Sequence, residues 1–279
     1  SLMRLFVIRL KARRCIFLPK YFGASYTQPF WISQNFLTKT SLIRRIVKIA
    51  RLGKDDHVVE IGAGKGHITK ELAAVCGEVT AVEIDRVLFN KLSKRFEKHS
   101  NLRLVCCDFL HWNLPKTPYK VFANIPFSKT TEIIRKLTLC RDMPEDVWLV
   151  MEKGAAKRFL GKPHETSASL RIKPFFESGI EFYFQRSDFH PSPSVDTVLL
   201  HMKKKTVPDI PKSQYPLYDR FLKQCRSNPD GIRGLLTKKQ IKKSLQAEGL
   251  SCDFPSGEMK YVQWLCLFRC YLKFGMHAK

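Results

Sequence analysis

Acidic residues are missing from the first 54 positions of this 279-residue chain and remain scarce along the rest of it. The chain has 49 Lys and Arg residues against 25 Asp and Glu, which gives a formal net charge of +24. A field of that strength attracts polyanions, of which nucleic acid is the most common and an anionic membrane surface is the alternative. Long apolar runs are also missing: no segment approaches the roughly 18 to 20 residues of a membrane-spanning helix. The composition therefore favours a nucleic-acid partner and no membrane insertion.

Paired cysteines at metal-binding spacing are a further absence. The chain has nine cysteines, but no two of them are separated by two residues, the spacing that zinc and redox sites usually show. Cys76, Cys140, Cys266 and Cys270 lie among apolar residues instead. We therefore expect buried, reduced thiols and no metal site. Reduced thiols are typical of the cytoplasm, and a bacterial cytoplasm is the location we expect.

The N-terminal segment 1–32 is a basic arm in which Arg and Lys are interleaved with large apolar residues. Acid-free, Arg-rich termini of this kind can be organellar transit peptides, which would make mitochondria the alternative location. They can equally be basic arms that lie along RNA. Serine, which transit peptides usually contain in quantity, is rare in this segment. An RNA-binding arm is therefore the preferred interpretation.

From about residue 33, apolar runs alternate with segments of helical periodicity such as Ile68–Val75 and Thr131–Leu139. The strand candidates are His57–Gly62, Glu78–Ile84, Leu102–Cys106, Tyr119–Asn124, Val147–Glu152, Gly179–Arg186 and Val195–Met202. This alternation predicts an α/β fold with a mostly parallel sheet and helices on both faces. The connector Ser187–Ser194 is too short for a crossover helix, so we expect the last two strands to pair antiparallel.

A change of composition follows the last strand candidate. Lys203–Lys205 and the prolines at 208 and 211 interrupt the pattern, and the sequence beyond them is basic and helical in periodicity. We therefore expect three units: the basic arm at 1–32, an α/β domain at 33–205, and a small helical RNA-binding domain at 206–279.

A glycine-rich turn ends the first strand candidate, in the run Val58–Gly66. At Gly62 and Gly64 the backbone can approach a ligand closely, because no Cβ stands in the way. The spacing is G-x-G-x-G and differs from the G-x-G-x-x-G of the dinucleotide fingerprint. The turn predicts a ligand site of another type, with a purely structural tight turn as the alternative.

Acidic residues end the next two strand candidates. Glu83, followed by Ile84, can accept hydrogen bonds from both hydroxyls of a ribose. Asp108 can accept one from the amino group of an adenine, and the ring of Phe109 can cover the base. Because the carboxyl ends of neighbouring parallel strands meet at one edge of a sheet, these residues and the glycines predict a site for a nucleoside-containing cofactor.

The run Asn124-Ile125-Pro126-Phe127 ends the fourth strand candidate. The amide oxygen of Asn124 and the carbonyl of Ile125 can accept both hydrogens of an adenine N6, which localises the nitrogen lone pair. Pro126 fixes the backbone so that this carbonyl faces the substrate. Phe127 offers a face on which an extruded base can stack. The run therefore predicts a catalytic site for N6 of adenine, although a buried strand end with a turn is the simpler alternative.

These motifs resemble those of the ribosomal RNA adenine N6-dimethyltransferases, and in particular the Erm family that methylates 23S rRNA. The resemblance rests on Asn124–Phe127, Ser33–Leu37, Gly64–His67, Thr130–Lys136, Glu152–Phe159 and Phe189–Asp196. It implies the Rossmann-like sheet of class I methyltransferases, with an antiparallel terminal strand, and S-adenosyl-L-methionine as the cofactor. It also implies cofactor contacts at Asn35, Leu37, Gly62, Glu83, Asp108 and Asn124, and a flipped adenine held between Phe127 and Phe189. The family more often has Tyr at position 127, so a hydroxyl is lost here while stacking remains.

Four basic residues flank the predicted site on the helices after the fourth and fifth strands: Arg135, Lys136, Lys157 and Arg158. We expect them to contact RNA phosphates, although a solvated basic face is the ordinary alternative. The resemblance implies a monomeric enzyme that methylates one adenine of 23S rRNA and confers resistance to macrolides, lincosamides and streptogramin B. Two alternatives stay open: a small-subunit dimethyltransferase of ribosome maturation, and a non-catalytic nucleic-acid-binding relative such as a mitochondrial transcription factor.

Overall fold

The computed structural model describes residues 15–17, 35–227, 231–252 and 258–275. The strands in this part of the chain are β1 (Cys15–Phe17), β2 (Phe36–Leu37), β3 (His57–Ile61), β4 (Glu78–Glu83), β5 (Leu102–Cys106), β6 (Lys120–Asn124), β7 (Asp146–Glu152), β8 (Phe176–Tyr183), β9 (Phe189–His190) and β10 (Thr197–Lys204). The α-helices are α1 (Thr40–Ile49), α2 (His67–Val75), α3 (Arg86–Arg95), α4 (Thr130–Leu139), α5 (Lys153–Leu160), α6 (Ser167–Ile172), α7 (Tyr215–Ser227), α8 (Lys238–Ala247) and α9 (Tyr261–Cys270). The predicted α/β class is confirmed.

Eight strands form the central sheet, in the order β1-β5-β4-β3-β6-β7-β10-β8. All neighbours from β1 to β7 pair parallel, whereas β10 pairs antiparallel with both β7 and β8. The predicted antiparallel pairing of the last two long strands is therefore confirmed. The antiparallel strand is β10, the last strand along the described chain, and within the sheet it lies between β7 and the edge strand β8. Val198, Leu199 and Leu200 are fully buried, as suits a strand with neighbours on both sides.

The basic arm contributes one element to the described structure. The three residues of β1 pair parallel with Leu104–Cys106 of β5 and extend that edge of the sheet. The sequence pattern did not predict this strand. The rest of the arm, for which we expect an RNA-binding role, lies outside the described residues.

Apolar side chains bury both faces of the sheet. Val58 and Val59 are adjacent on β3 and point to opposite faces, where each belongs to a separate hydrophobic cluster. The cluster around Val58 packs against α1, α2 and α3. The cluster around Val59 continues through the α4 and α5 side into Phe221, Trp264 and Phe268 of the C-terminal helices. The helical region beyond residue 206 thus shares a core with the sheet.

The eight cysteines whose side chains the structure describes are outside any disulfide, and Cys76, Cys225, Cys266 and Cys270 are buried. Cys140, which we also expected to be buried, is only partly so. Within that same part of the chain, no group of three His, Cys, Asp or Glu residues is arranged to hold a metal ion. None of its helices combines the length and the apolar character that crossing a bilayer requires.

Gly77, between α2 and β4, gives a test of the packing at the amino end of the sheet. An ideal Cβ at this position would lie 1.9 Å from the carbonyl oxygen of Lys54, so Gly77→Ala must push two backbone segments apart. We expect it to lower the free energy of unfolding by about 1–3 kcal/mol, measured by thermal and urea denaturation. At Gly53 nothing lies within 4 Å of an ideal Cβ, so Gly53→Ala is the matched control. Equal melting temperatures for the two variants would contradict the packing described here.

Candidate active site

A cleft opens to solvent at the carboxyl ends of β3, β4, β5 and β6. Most of the residues predicted from the sequence line it: Asn35, Gly62, Gly64, Glu83, Ile84, Asp108, Phe109, Asn124, Ile125, Pro126 and Phe127. They come from separate stretches of the chain and meet here because parallel neighbouring strands end at one edge of the sheet. The edge is therefore the candidate active site.

The glycine turn after β3 adopts left-handed backbone conformations. The φ angles of Gly62 and Gly64 are +71° and +57°, values that residues with a side chain rarely adopt. No atom lies within 4 Å of an ideal Cβ at Gly62, whereas one at Gly64 would lie 2.8 Å from a ring carbon of Phe36. The turn is thus open toward the cleft at Gly62 and tightly packed at Gly64.

The carboxylate of Glu83 is fixed by backbone donors on both sides. Its Oε2 accepts a hydrogen bond of 2.7 Å from the Gly64 N–H, and its Oε1 accepts one of 2.8 Å from the Asp85 N–H. Burial raises the pKa of Glu83, and these hydrogen bonds oppose the rise. Each carboxylate oxygen retains a second lone pair. The group can therefore still accept hydrogen bonds from ligand hydroxyls that enter the cleft.

The loop after β5 is held by Lys136, which we expected to contact RNA. The Lys136 ammonium donates hydrogen bonds to the carbonyls of Leu110 and Trp112 and lies 5.3 Å from the centroid of the Phe109 ring. Burial lowers the pKa of this lysine. The role predicted for Lys136 does not fit this placement, because its charge is used within the protein. It instead fixes the loop that carries Asp108, whose Oδ1 accepts a 2.8 Å hydrogen bond from the Leu110 N–H.

Asn124, which ends β6, and the first residues of the loop after it line the cleft. The side-chain amide of Asn124 donates a 2.7 Å hydrogen bond to the backbone carbonyl of Asn35, which directs its Oδ1 away from that carbonyl. The Ile125 N–H donates to the carbonyl of Val150 on β7 at 3.2 Å. Pro126 is extended, with φ −65° and ψ 127°, and a short 3₁₀ turn follows it. Asn35 and β7 thus hold Asn124 and Ile125, two of the residues that we predict to be catalytic.

Leu37 and Phe189 differ from the prediction, since neither is among the residues that line the cleft. The two face each other in the two-residue ladder between β2 and β9. They are 2% and 5% exposed and belong to the hydrophobic cluster on the α1 side of the sheet. Because successive side chains of a strand point to opposite faces, Phe36 faces the cleft instead. A cofactor contact by the Leu37 side chain and base stacking by Phe189 do not fit this arrangement.

The other three predicted RNA contacts are exposed. Arg135 and Lys157 lie on the outer faces of α4 and α5. Arg158 donates a 2.8 Å hydrogen bond to the Thr131 hydroxyl and covers the ring of Phe159. These three side chains remain available to an RNA ligand, in contrast to Lys136.

Sequence reasoning missed several residues of the cleft: Phe36, Ile61, Val82, Cys107, Leu110, Lys129 and Ile133. Among the described residues that line the cleft, Lys129 is the one cation, whereas Glu83 and Asp108 are carboxylates. Its position just after the Asn-Ile-Pro-Phe run could have identified it. Burial raises the pKa of Cys107 to about 11, so its thiol is neutral. The lining therefore has more negative than positive charge, which suits a cationic ligand.

Glu60, which sequence reasoning also missed, is a carboxyl group buried beside the glycine turn. It is 1% exposed, and its Oε2 has no hydrogen-bond partner in the described part of the chain. Burial is the main cause that raises its pKa to about 8. The group is therefore mostly protonated at neutral pH.

The chain matches the family model described as ribosomal RNA adenine dimethylase over residues 29–243. It is 31% identical over 244 residues to the rRNA adenine N-6-methyltransferase of Escherichia coli, covering 87% of this chain and 96% of that protein. The solved structure of the 23S rRNA methyltransferase ErmE is similar, with a TM-score of 0.76, 25% identity, and coverage of 85% of this chain and 99% of that one. A dimethyladenosine transferase from Plasmodium falciparum shares the fold, with a TM-score of 0.67, 22% identity, and coverage of 85% and 97%.

The buried carboxyl of Glu60 predicts a dependence of stability on pH. Its pKa is about 8 in the folded protein against a usual 4.5. The folded state therefore binds a proton that the unfolded chain has released, and stability falls as the pH rises through this interval. We expect Glu60→Gln to flatten the decrease in melting temperature that the unaltered chain shows as the pH rises from about 5 to about 8. Glu97→Gln, at an exposed carboxyl, is the control; parallel curves for Glu60→Gln and the unaltered chain would contradict the burial of a protonated Glu60.

Proposed function

The chain belongs to the ribosomal RNA adenine dimethylase family of rRNA adenine N6-methyltransferases, and we propose that it methylates one adenine of 23S rRNA with S-adenosylmethionine as donor. The observation that carries the proposal is the orientation of Asn124, whose Nδ2 is bonded to the Asn35 carbonyl so that its Oδ1 is left for an adenine amino group. The 23S target is supported by the likeness to ErmE and by the Erm-like motifs of the sequence.

The residues of the cleft fit the proposed cofactor. When bound, S-adenosylmethionine supplies an electrophilic methyl group on a positively charged sulfur. The open space at Gly62 admits a ligand next to the backbone, and the fixed carboxylate of Glu83 can accept hydrogen bonds from ribose hydroxyls. Asp108 can accept one from the adenine amino group, and Phe109 lies beside it. The excess of carboxylates in the lining favours a cation.

The loop after β6 supplies the groups that act on the target base. We assign Asn124 Oδ1 and the Ile125 carbonyl to the two hydrogens of N6, so that the nitrogen lone pair faces the methyl group. Phe127, half-buried at the cleft, provides a stacking surface for the extruded base. No side chain has to remove a proton before transfer, because the main requirement is alignment of the reacting atoms. Rigid support of the loop by β7 and Asn35 meets that requirement.

The exposed cations outside the cleft fit a polyanionic substrate. We assign Arg135, Lys157 and Arg158 to phosphates of the RNA, since each is exposed on α4 or α5, the helices that follow β6 and β7. The net charge of +24 extends this field over the whole chain. Such contacts orient the RNA backbone, while recognition of the base occurs within the cleft.

Substitution of Asn124 tests the catalytic assignment. We expect Asn124→Ala to reduce methyl transfer roughly 100-fold or more, by analogy with the loss of other preorganised transition-state contacts. Affinities for RNA and for S-adenosylmethionine should stay within about fivefold, because many other residues bind them. Transfer of labelled methyl groups, filter binding and calorimetry measure the three quantities. Asn90→Ala, on the exposed face of α3, is the control. Loss of RNA affinity with turnover retained would overturn the assignment.

The choice of target is tested with separate RNA substrates. We expect labelled methyl groups on N6 of a single adenine in protein-free 23S rRNA, and macrolide resistance in a sensitive bacterium that expresses the chain. Methylation confined to 30S particles would show a small-subunit enzyme instead. RNA binding without methylation of either substrate would show a non-catalytic relative.

A further inference from the structure

We propose that Lys39 and Asp188 are positioning residues whose ion pair holds Asn124 in the orientation that methyl transfer requires. The inference rests on the function proposed above and extends it to two residues outside the cleft. Lys39 Nζ lies 2.9 Å from Asp188 Oδ1, although the two residues are 149 positions apart in the chain. The pair thus joins the segment that enters the fold before α1 to the segment that precedes β9.

The carboxylate of Asp188 is held from both sides. Its side chain is 12% exposed, and its Oδ2 accepts a 2.9 Å hydrogen bond from the Gln185 N–H. The Lys39 side chain is 52% exposed. The acid is therefore the fixed partner, and the lysine reaches it from solvent. Without Lys39, a mostly buried carboxylate would lose its counter-charge, which costs more than the loss of the same partner at the surface.

The pair closes one end of a very short ladder. β2 and β9 pair over two positions, Phe36 with His190 and Leu37 with Phe189. Lys39 follows this register by two residues, and Asp188 precedes Phe189 directly. Isolated two-stranded pairings are only marginally stable, so this ladder depends on what ties its ends. The packing of Leu37 and Phe189 secures its core side, and the ion pair secures the end away from the cleft.

The other end of the ladder reaches the catalytic loop. The residue before β2 is Asn35, whose backbone carbonyl accepts the 2.7 Å hydrogen bond from Asn124 Nδ2. A side-chain amide has a donor face and an acceptor face, and rotation by half a turn exchanges them. If the Asn35 carbonyl moves away, Asn124 can present its NH₂ group to the base. The N6 hydrogens would then meet donors in place of an acceptor. The ladder therefore decides which face of the Asn124 amide is offered.

The chain offers a matched control for this ion pair. Arg44 on α1 and Glu71 on α2 form a pair of 2.9 Å whose side chains are 66% and 9% exposed, similar to those of Lys39 and Asp188. This control pair joins two helices and includes no residue of the ladder. In both pairs, loss of the exposed cation leaves a mostly buried carboxylate without that counter-charge. Any difference between Lys39→Met and Arg44→Met in catalysis then reports on position and not on charge.

The first measurement is the single-turnover methylation rate at saturating cofactor and 23S rRNA. We expect Lys39→Met to lower this rate roughly tenfold, a typical effect of a small misalignment. The dissociation constants for S-adenosylmethionine and for 23S rRNA should each change by less than about threefold. Lys39→Arg should keep the rate near that of the unaltered chain, because it restores the charge. Lys39→Met combined with Asp188→Asn should recover part of the loss, since no unpaired carboxylate is left and the Gln185 N–H keeps an acceptor.

The second measurement does not depend on activity. The ¹H–¹⁵N signals of the Asn124 side-chain amide, assigned by comparison with Asn124→Ala, should show a slowly exchanging, hydrogen-bonded proton in the unaltered chain. We expect Lys39→Met to abolish that protection and Arg44→Met to keep it. The proposal is overturned if Lys39→Met leaves rate and protection unchanged, or if rate, both affinities and melting temperature fall together as for a structural defect. Failure of the proposed function would appear differently, as an unaltered chain that methylates no rRNA while the amide signal still responds to Lys39.

Discussion

The hydrogen bond from the Gly64 N–H to the buried carboxylate of Glu83 is the interaction on which the site depends. It joins the turn after β3 to the end of β4, so the two strand ends move as one body. Burial of the sheet on both faces fixes the strands beneath, and the parallel order brings the ends of β5 and β6 to the same edge. The apolar core therefore positions the strand ends, and hydrogen bonds such as this one fix the polar groups that the strand ends carry.

The proposed RNA substrate and the proposed cationic cofactor need surroundings of opposite charge, and the protein provides these in separate places. The chain as a whole is strongly basic, which suits an RNA backbone, while the described residues that line the cleft include two carboxylates and a single ammonium. Lys136 shows how this separation is achieved locally: its chain position suggests an RNA contact, yet its ammonium is turned inward to the carbonyls of the β5 loop. If the function proposed above holds, the basic excess attracts the RNA, while the described lining of the cleft contains few cations that would repel the sulfonium of the cofactor.

The sheet, its antiparallel strand pair and the family resemblance could be predicted from the sequence because strand and helix periodicity and the Asn-Ile-Pro-Phe run are local patterns. The features that could not be predicted leave no local pattern in the sequence. A two-residue strand has no periodicity, so nothing in the pattern shows that Phe36, and not Leu37, faces the cleft. Three further features depend on segments that meet only in the folded chain. They are the inward position of Lys136, the burial of the Glu60 carboxyl and the pairing of Lys39 with Asp188. The β1 strand within the basic arm was missed as well, because it forms only by pairing with the distant strand β5.

The hydrophobic cluster that runs without interruption from the sheet into Phe221, Trp264 and Phe268 limits how this protein can diversify. A lineage that acquires a new RNA target cannot exchange its C-terminal helices as a ready-made unit, because their inner faces complete the interior of the catalytic fold. Only their outward positions can vary freely. Divergence in this region should therefore be confined to the solvent side of each helix, with the aromatic interior inherited almost unaltered.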